Sequence, residues 1–161
     1  MIITSPVWSL AALIQRRALL RKTGCRVVLT NGCFDIIHAG HVALLEQASR
    51  YGEVLIVALN SDDSVRACKG PSRPLQTELD RAYVLAAMRA VSHVVLFSEP
   101  TPEQVIQALQ PDVLVKGSEY AGTIVPGAEY VRSYGGRFEL IPMQPERSST
   151  KLINQITEGA L

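Results

Sequence analysis

The sequence predicts a doubly wound α/β domain, with a five-stranded parallel sheet covered by helices on both faces, and three observations carry that expectation. Short runs rich in Val, Ile and Leu recur at residues 26–30, 54–59, 93–97, 113–115 and 138–141. They do not alternate apolar with polar, as expected of strands covered on both faces. Segments with helical periodicity or helix-start residues separate them, and such alternation builds a parallel sheet through right-handed crossovers.

Taken in order, Leu10, Leu13, Ile14, Arg17 and Leu20 mark an amphipathic first helix that ends at Thr23-Gly24. Residues 1–24 are read as an N-terminal helix of the same domain, whose remainder is 25–161. Its apolar side either covers the sheet or joins copies, so a homodimer or higher homo-oligomer stays open. The strand at 26–30 leads to a helix at 41–51 closed by Gly52, and then to the strand at 54–59. A helix at 77–89 opens with Thr77 and Asp80 in a capping-box arrangement. After the strand at 93–97, Thr101 is the expected N-cap and Pro102 the first residue of a helix at 101–109. The strand at 113–115, a helix at 127–134 ended by Gly135-Gly136, and the strand at 138–141 follow. A last helix is expected after Ser148.

The length of 161 residues suits a single domain. A hydrophobic content of 47% with 19% charged residues suits a soluble enzyme. A net charge of +1 creates no global field for nucleic acid or membranes, so neither is expected as a partner. Cys25, Cys33 and Cys68 show neither disulfide rhythm nor zinc pairing and read as reduced thiols of a cytoplasmic protein. The apolar stretch at 7–14 precedes Arg16 and Arg17, the wrong polarity for a secretory signal, and is too short to span a bilayer.

Polar clusters gather at the carboxyl ends of the expected strands, where open α/β sheets bind ligands. Asn31-Gly32-Cys33-Phe34-Asp35 follows the first, Asn60-Ser61-Asp62-Asp63 the second, Lys116-Gly117-Ser118-Glu119-Tyr120 the fourth and Arg147-Ser148-Ser149-Thr150 the fifth. One such loop alone would be an ordinary solvated connection; four together mark a site. The strongest segment runs from Asn31 to His41. His38 and His41 lie three apart near a helix start and face one way, and Gly40 lets a ligand approach the backbone. The helix mouth offers unpaired N–H groups and partial positive charge, so an anion is the expected guest. Two histidines make only half a zinc site and no third ligand is evident, so no protein-bound metal is expected. His38 as a satisfied core residue remains the plain alternative. Neither a G-x-x-x-x-G-K-[ST] loop nor a G-x-G-x-x-G after a strand is present.

Residues 31–41 resemble the H-x-G-H signature of the cytidylyltransferase-like nucleotidyltransferases. Lys69-Gly70-Pro71-Ser72-Arg73-Pro74 resembles their basic loop, and Arg147-Ser148-Ser149-Thr150 their C-terminal R-[ST]-[ST]-T phosphate motif. From Thr30 to about Ile156 the chain is most similar to the ADP-heptose synthase family, heptose 1-phosphate adenylyltransferases found alone or fused to a sugar kinase. The resemblance implies a Rossmann-like H-x-G-H nucleotidyltransferase fold in the standalone form. It further implies transfer of AMP from ATP to D-glycero-β-D-manno-heptose 1-phosphate, giving ADP-heptose for lipopolysaccharide assembly. Two departures stand out: Lys116-Gly117-Ser118-Glu119-Tyr120 replaces the family's K-G-G-D-Y, and Ser148-Ser149-Thr150-Lys151-Leu152 replaces its usual S-T-T-A-I.

The same resemblance implies roles for individual residues. His38, His41 and Lys69 are the expected catalytic groups. Asn31, Gly32, Phe34, Gly40, Arg81, Lys116, Gly117, Arg147, Ser148, Ser149 and Thr150 are the expected nucleotide and phosphate contacts. Asp35, Asn60, Arg73 and Glu119 are assigned to the sugar phosphate, and Mg²⁺ arrives mainly through the nucleotide phosphates. Plainer readings stand beside these. Lys69, Arg73 and Arg81 suit solvated positions, Asp35 can fix its own loop, Lys116 and Glu119 can serve loop architecture, and Ser148 can simply cap a helix. Two other functions remain open: a cytidylyltransferase for a polyol or alcohol phosphate such as glycerol 3-phosphate, and a non-catalytic nucleotide-binding module.

Overall fold

The computed structural model describes residues 7–142 together with Ile153 and Ile156, both of which are helical. In chain order the elements are β1 (Val7–Trp8), α1 (Leu10–Lys22), β2 (Val27–Gly32), α2 (Ala39–Ala48), β3 (Val54–Asn60), α3 (Asp62–Lys69), α4 (Glu78–Ala86), β4 (His93–Phe97), α5 (Glu103–Leu109), β5 (Val113–Gly117), α6 (Ala128–Ser133) and β6 (Arg137–Ile141). Short 3₁₀ turns at Ser49–Tyr51 and Ser118–Tyr120 follow α2 and β5.

The sheet has six strands, not five, in the order β1-β4-β3-β2-β5-β6, and every pairing is parallel. The added strand is β1, whose Val7 and Trp8 pair with Val94 and Val95 at one edge. It lies inside the apolar stretch at 7–14, and two residues give no readable period. Strands β2 to β6 lie in the Rossmann-like order and are wound on both faces. Val27, Leu29, Ile56, Ala58, Val95 and Leu114 pack with α1, α5 and α6 on one face. Their neighbours Val28, Leu55, Val57, Leu59, Val94, Val113 and Val115 pack with α2 and α4 on the other. Burial on both sides is why these strands read as continuous apolar runs.

α1 covers the sheet: Leu13 and Leu20 are buried beside Val105, Ile106 and Leu109. Arg17 anchors it, giving its Nε to Leu109 O (3.1 Å) and its Nη2 to Gln110 O and Asp112 Oδ1 (both 2.9 Å). α3 is an element absent from the sequence-based expectation. Ser61 caps it by accepting from Ser64 N, Asp62 and Asp63 occupy its first turn, and Arg66 and Lys69 its last. That charge order suits the helix dipole. α5 begins one residue or more later than expected, with Pro102 rather than Thr101 at the N-cap. Among the described residues no helix is long and apolar enough to cross a membrane.

The strand order reverses between β2 and β5, and their pairing involves only Val28–Leu29 with Val113–Leu114. β2 meanwhile continues along β3 as far as Gly32. The two strands therefore splay at their carboxyl ends, and such a switch point opens the crevice in which α/β sheets bind ligands.

Candidate active site

A cavity of about 610 Å³ fills that crevice, a size that suits a nucleotide-like ligand. Its walls come from the end of β2, the mouth of α2, the end of α3, the end of β5 and the segment before α5. The splay leaves buried polar atoms on the β2 side: Thr30 Oγ1 and Asn31 Oδ1 have no hydrogen-bond partner among the described residues.

His38 is the N-cap of α2, and its Nδ1 accepts the Gly40 N–H at 3.1 Å. The ring proton therefore sits on Nε2, which makes that atom a donor. Gly40 is buried, its N–H is committed to His38, and it is not on the cavity wall. The His41 ring stacks on His38 with centroids 3.9 Å apart and leans on Phe34 at 5.1 Å. Burial, reinforced by His38 and Lys69, lowers the His41 pKa to about 4, so its imidazole is neutral near pH 7. Its Nδ1 is buried without a partner among the described residues. Phe34 itself holds a left-handed backbone, φ 46°, unusual for a residue with a side chain. Gly32 makes room for it, since a Cβ there would stand 3.1 Å from the Phe34 ring.

Lys69 lies on the wall as the last residue of α3 rather than inside a loop. The loop proper starts at Gly70 and is tied to the first motif. Asp35 is buried and accepts from Arg73 Nε (2.5 Å), Leu75 N (2.8 Å) and Gln76 N (3.1 Å). Asp35 thus fixes the basic loop rather than its own, while Arg73 still faces the cavity. Arg81 is neither solvated nor on the wall. It is completely buried, and it donates to Gln76 O (3.1 Å), Cys33 O (2.5 Å) and Asp62 Oδ1 (2.7 Å). All three nitrogens of its guanidinium are engaged, so it joins the first motif, the basic loop and α3. Asn60 lines the cavity with its amide held on Ser64 Oγ at 2.9 Å.

Across the splay, Lys116 Nζ donates to Asn31 O at 2.9 Å and lies 4.6 Å from the centre of the Tyr120 ring. Burial pushes its pKa down to about 8, against the opposing pull of Glu119. A Cβ at Gly117 would meet the Glu119 carboxylate, the far end of an exposed side chain that lies over this glycine. Cys33, Leu44, Cys68, Phe97, Thr101 and Tyr120 also reach the wall, as do Pro100, Pro102 and Pro126. Cys33 and Tyr120 fall inside the polar clusters that mark the site in the sequence, without a role of their own, and the others are not singled out there as site residues. For Phe97 and residues 100–102, the sheet order that sets β4 beside β3 is what brings them near. Arg147, Ser148, Ser149, Thr150 and the start of the helix expected there lie outside the described residues. Among the described residues no group of three or more His, Cys, Asp or Glu could hold a metal ion.

The profile of the cytidylyltransferase-like family matches residues 29–155. Bifunctional protein HldE of Azorhizobium caulinodans is 54% identical over 133 residues, which cover 83% of this chain and 28% of that protein. The proteins of the same name from Koribacter versatilis and Geotalea uraniireducens are 52% and 47% identical, covering 89% and 95% of this chain. The chain spans only 29% and 31% of the length of those two relatives. Among solved structures, the lipopolysaccharide core biosynthesis protein from Thermoplasma volcanium GSS1 matches with a TM-score of 0.61 at 21% identity, covering 75% of this chain and 98% of that one, a likeness of fold. The matched residues run from β2 past β6 and include the paired histidines, the basic loop and the Lys116 segment. The chain therefore belongs to the cytidylyltransferase-like family of nucleotidyltransferases.

Proposed function

We propose that the chain transfers the AMP part of ATP to D-glycero-β-D-manno-heptose 1-phosphate, forming ADP-heptose and pyrophosphate in the cytoplasm. The observation that carries this reading is the stacked His38–His41 pair at the mouth of α2, on the same cavity wall as Lys69, Arg73 and Lys116. A sugar-phosphate oxygen attacks the α-phosphorus of ATP, and the bond from that phosphorus to the bridging oxygen of pyrophosphate breaks. The attacking oxygen is already anionic and the leaving group already good, so no general base is needed. Alignment and neutralisation of charge supply the rate.

Several residues of the wall have a part in that chemistry. His38 donates through Nε2–H to a phosphate oxygen, its tautomer set by the cap to Gly40. His41, neutral near pH 7, donates to the reacting α-phosphate as a dipole rather than as a charge. Lys69 brings a point charge from the end of α3, and Asn31, Gly32, Phe34, Lys116 and Gly117 form the nucleotide side. Asp35, Asn60, Arg73 and Glu119 form the sugar-phosphate side. Arg147, Ser148, Ser149 and Thr150 take the outer phosphates. Mg²⁺ supplies further charge neutralisation. An ion that enters on the nucleotide keeps most of its water.

Adenine and heptose are favoured over cytosine and a polyol by the motif resemblance of Thr30–His41, Pro111–Tyr120 and Gly136–Thr150. The test is pyrophosphate release, with ATP and CTP each offered heptose 1-phosphate and glycerol 3-phosphate. Turnover only with ATP and the heptose phosphate is expected. A preference for CTP with glycerol 3-phosphate replaces this reading with the polyol cytidylyltransferase. Tight nucleotide binding without turnover replaces it with a sensor.

A further inference from the structure

Two thiols that take no part in the proposed transfer face the same cavity. Cys33 lies in the turn after β2 and Cys68 in the last turn of α3; both reach the same cavity wall, and Cys68 is near enough to act on the Cys33 thiol. Cys25 lies before β2, against Thr23 Oγ1 at 3.4 Å, and is not on the wall. The two wall thiols are held differently. Arg81 Nη1 grips the Cys33 carbonyl at 2.5 Å and fixes that turn against α4. Cys68 is exposed. The helix behind it stops at Gly70, whose φ is 93° and whose Cβ position is open space. Burial first, and then Cys68, push the Cys33 thiol up, which leaves it protonated and suited to act second.

We propose that Cys33 and Cys68 form a paired thiol site that closes to an intramolecular disulfide by exchange with a small-molecule disulfide, and that closure shuts the cavity until a thiol reopens it. The Cys68 thiolate attacks one sulfur of the small disulfide, forming a mixed disulfide and expelling the first small thiol. Cys33 gives up its proton and attacks the Cys68 sulfur, and the second small thiol leaves. Two protein thiols are oxidised and one small disulfide is reduced to two thiols. The bond draws the end of α3, with Lys69, onto the turn that carries Asn31 to Asp35. Formation of the bridge is independent of what the cavity binds; its effect on ATP rests on the nucleotide reading above.

The full chain is treated with glutathione disulfide, its thiols are counted and its peptides mapped by mass, and ATP binding is followed by calorimetry before and after dithiothreitol. Two of the three thiols should disappear as a Cys33–Cys68 peptide, leaving Cys25 free. ATP binding should weaken by at least about tenfold and return on reduction. Cys68→Ser should form no bridge and lose the response of ATP affinity to the oxidant, while Cys25→Ser should respond as the parent chain does. Mixed disulfides alone, or a link through Cys25, would overturn the pair. A bridged chain that binds ATP as tightly as the reduced one would overturn the closure. A reduced chain that never binds ATP would instead remove the nucleotide reading, and the peptide map would still decide the pair.

Discussion

At the scale of single residues, burial decides what each side chain can do. The His41 imidazole has an ordinary pKa of 6.5 when solvated, and in the fold it drops to about 4. Between those values the unfolded chain holds the extra proton, so stability falls as pH drops from 6.5 toward 4. One such group sets a slope of about 1.4 kcal/mol per pH unit. His93 is lowered in the same sense, by burial and then Arg16, so it adds to the trend. Urea unfolding across this range should therefore be distinctly shallower in pH for His41→Gln than for the parent chain. Equal slopes would mean that the ring is not desolvated. The Asp35–Arg73 pair makes a second case, with Asp35 side-chain exposure of 1%. Arg73→Ala leaves a buried carboxylate with only the Leu75 and Gln76 N–H groups as partners. It should cost about 3 kcal/mol in urea unfolding, at the low end for a broken buried pair. A loss below about 0.5 kcal/mol, the ordinary range of a surface change, would show the pair to be solvated. The histidines, Lys69, Asp35 and Arg73 were visible as types and spacings. That Asp35 serves the basic loop, and that Arg81 is consumed inside the protein, depends on partners at least 38 residues away for Arg73 and 48 for Cys33.

At the scale of elements, caps and strand ends do the positioning. His38 is the N-cap of α2 through Nδ1, and the proposed transfer gives it a second use as a phosphate donor through Nε2. The two uses separate by substitution. His38→Ala should lose about 1 kcal/mol of stability along with activity. His38→Asn can still cap the helix, so it should keep most of the stability while kcat falls by an amount equivalent to about 3 kcal/mol, like a lost oxyanion donor. Retained turnover in His38→Asn would assign the ring to architecture alone. α2, α4 and five of the strands were legible because they carry caps or apolar runs longer than a turn. α3 carried its own signals, a Ser cap with acidic residues first and basic residues last, but only Val65 among its apolar residues is fully buried. Without an apolar stripe it read as a loop. β1 was hidden for the opposite reason, since its two apolar residues merged with the stretch leading into α1.

At the scale of the whole molecule, the sheet is tied together at both of its ends. The carboxyl ends form the cavity, and the opposite end is locked by Arg17 of α1. Arg17 takes the final carbonyls of α5 and meets Asp112, whose other oxygen accepts from Val27 N at 2.7 Å. Arg17→Ala should lower stability by about 3 kcal/mol, moderated by the partial exposure of Asp112, with Arg17→Lys losing less. Unfolding should remain one transition in both variants because α1 shares its core with α5 and the sheet. A separate early loss of helix signal would make α1 an independent unit.

The fold class, the positions of most elements and the chemical kinds of residue at the strand ends are readable from the amino-acid order alone. Those features are written in local periodicity, caps and short motifs, which act over a few neighbouring residues. Tertiary contacts alone set the sixth strand, the splay between β2 and β5 and the meeting of Cys33 and Cys68 on one cavity wall. Each of these depends on which distant segments are brought side by side and on how much water is excluded there. No local pattern of residues encodes that.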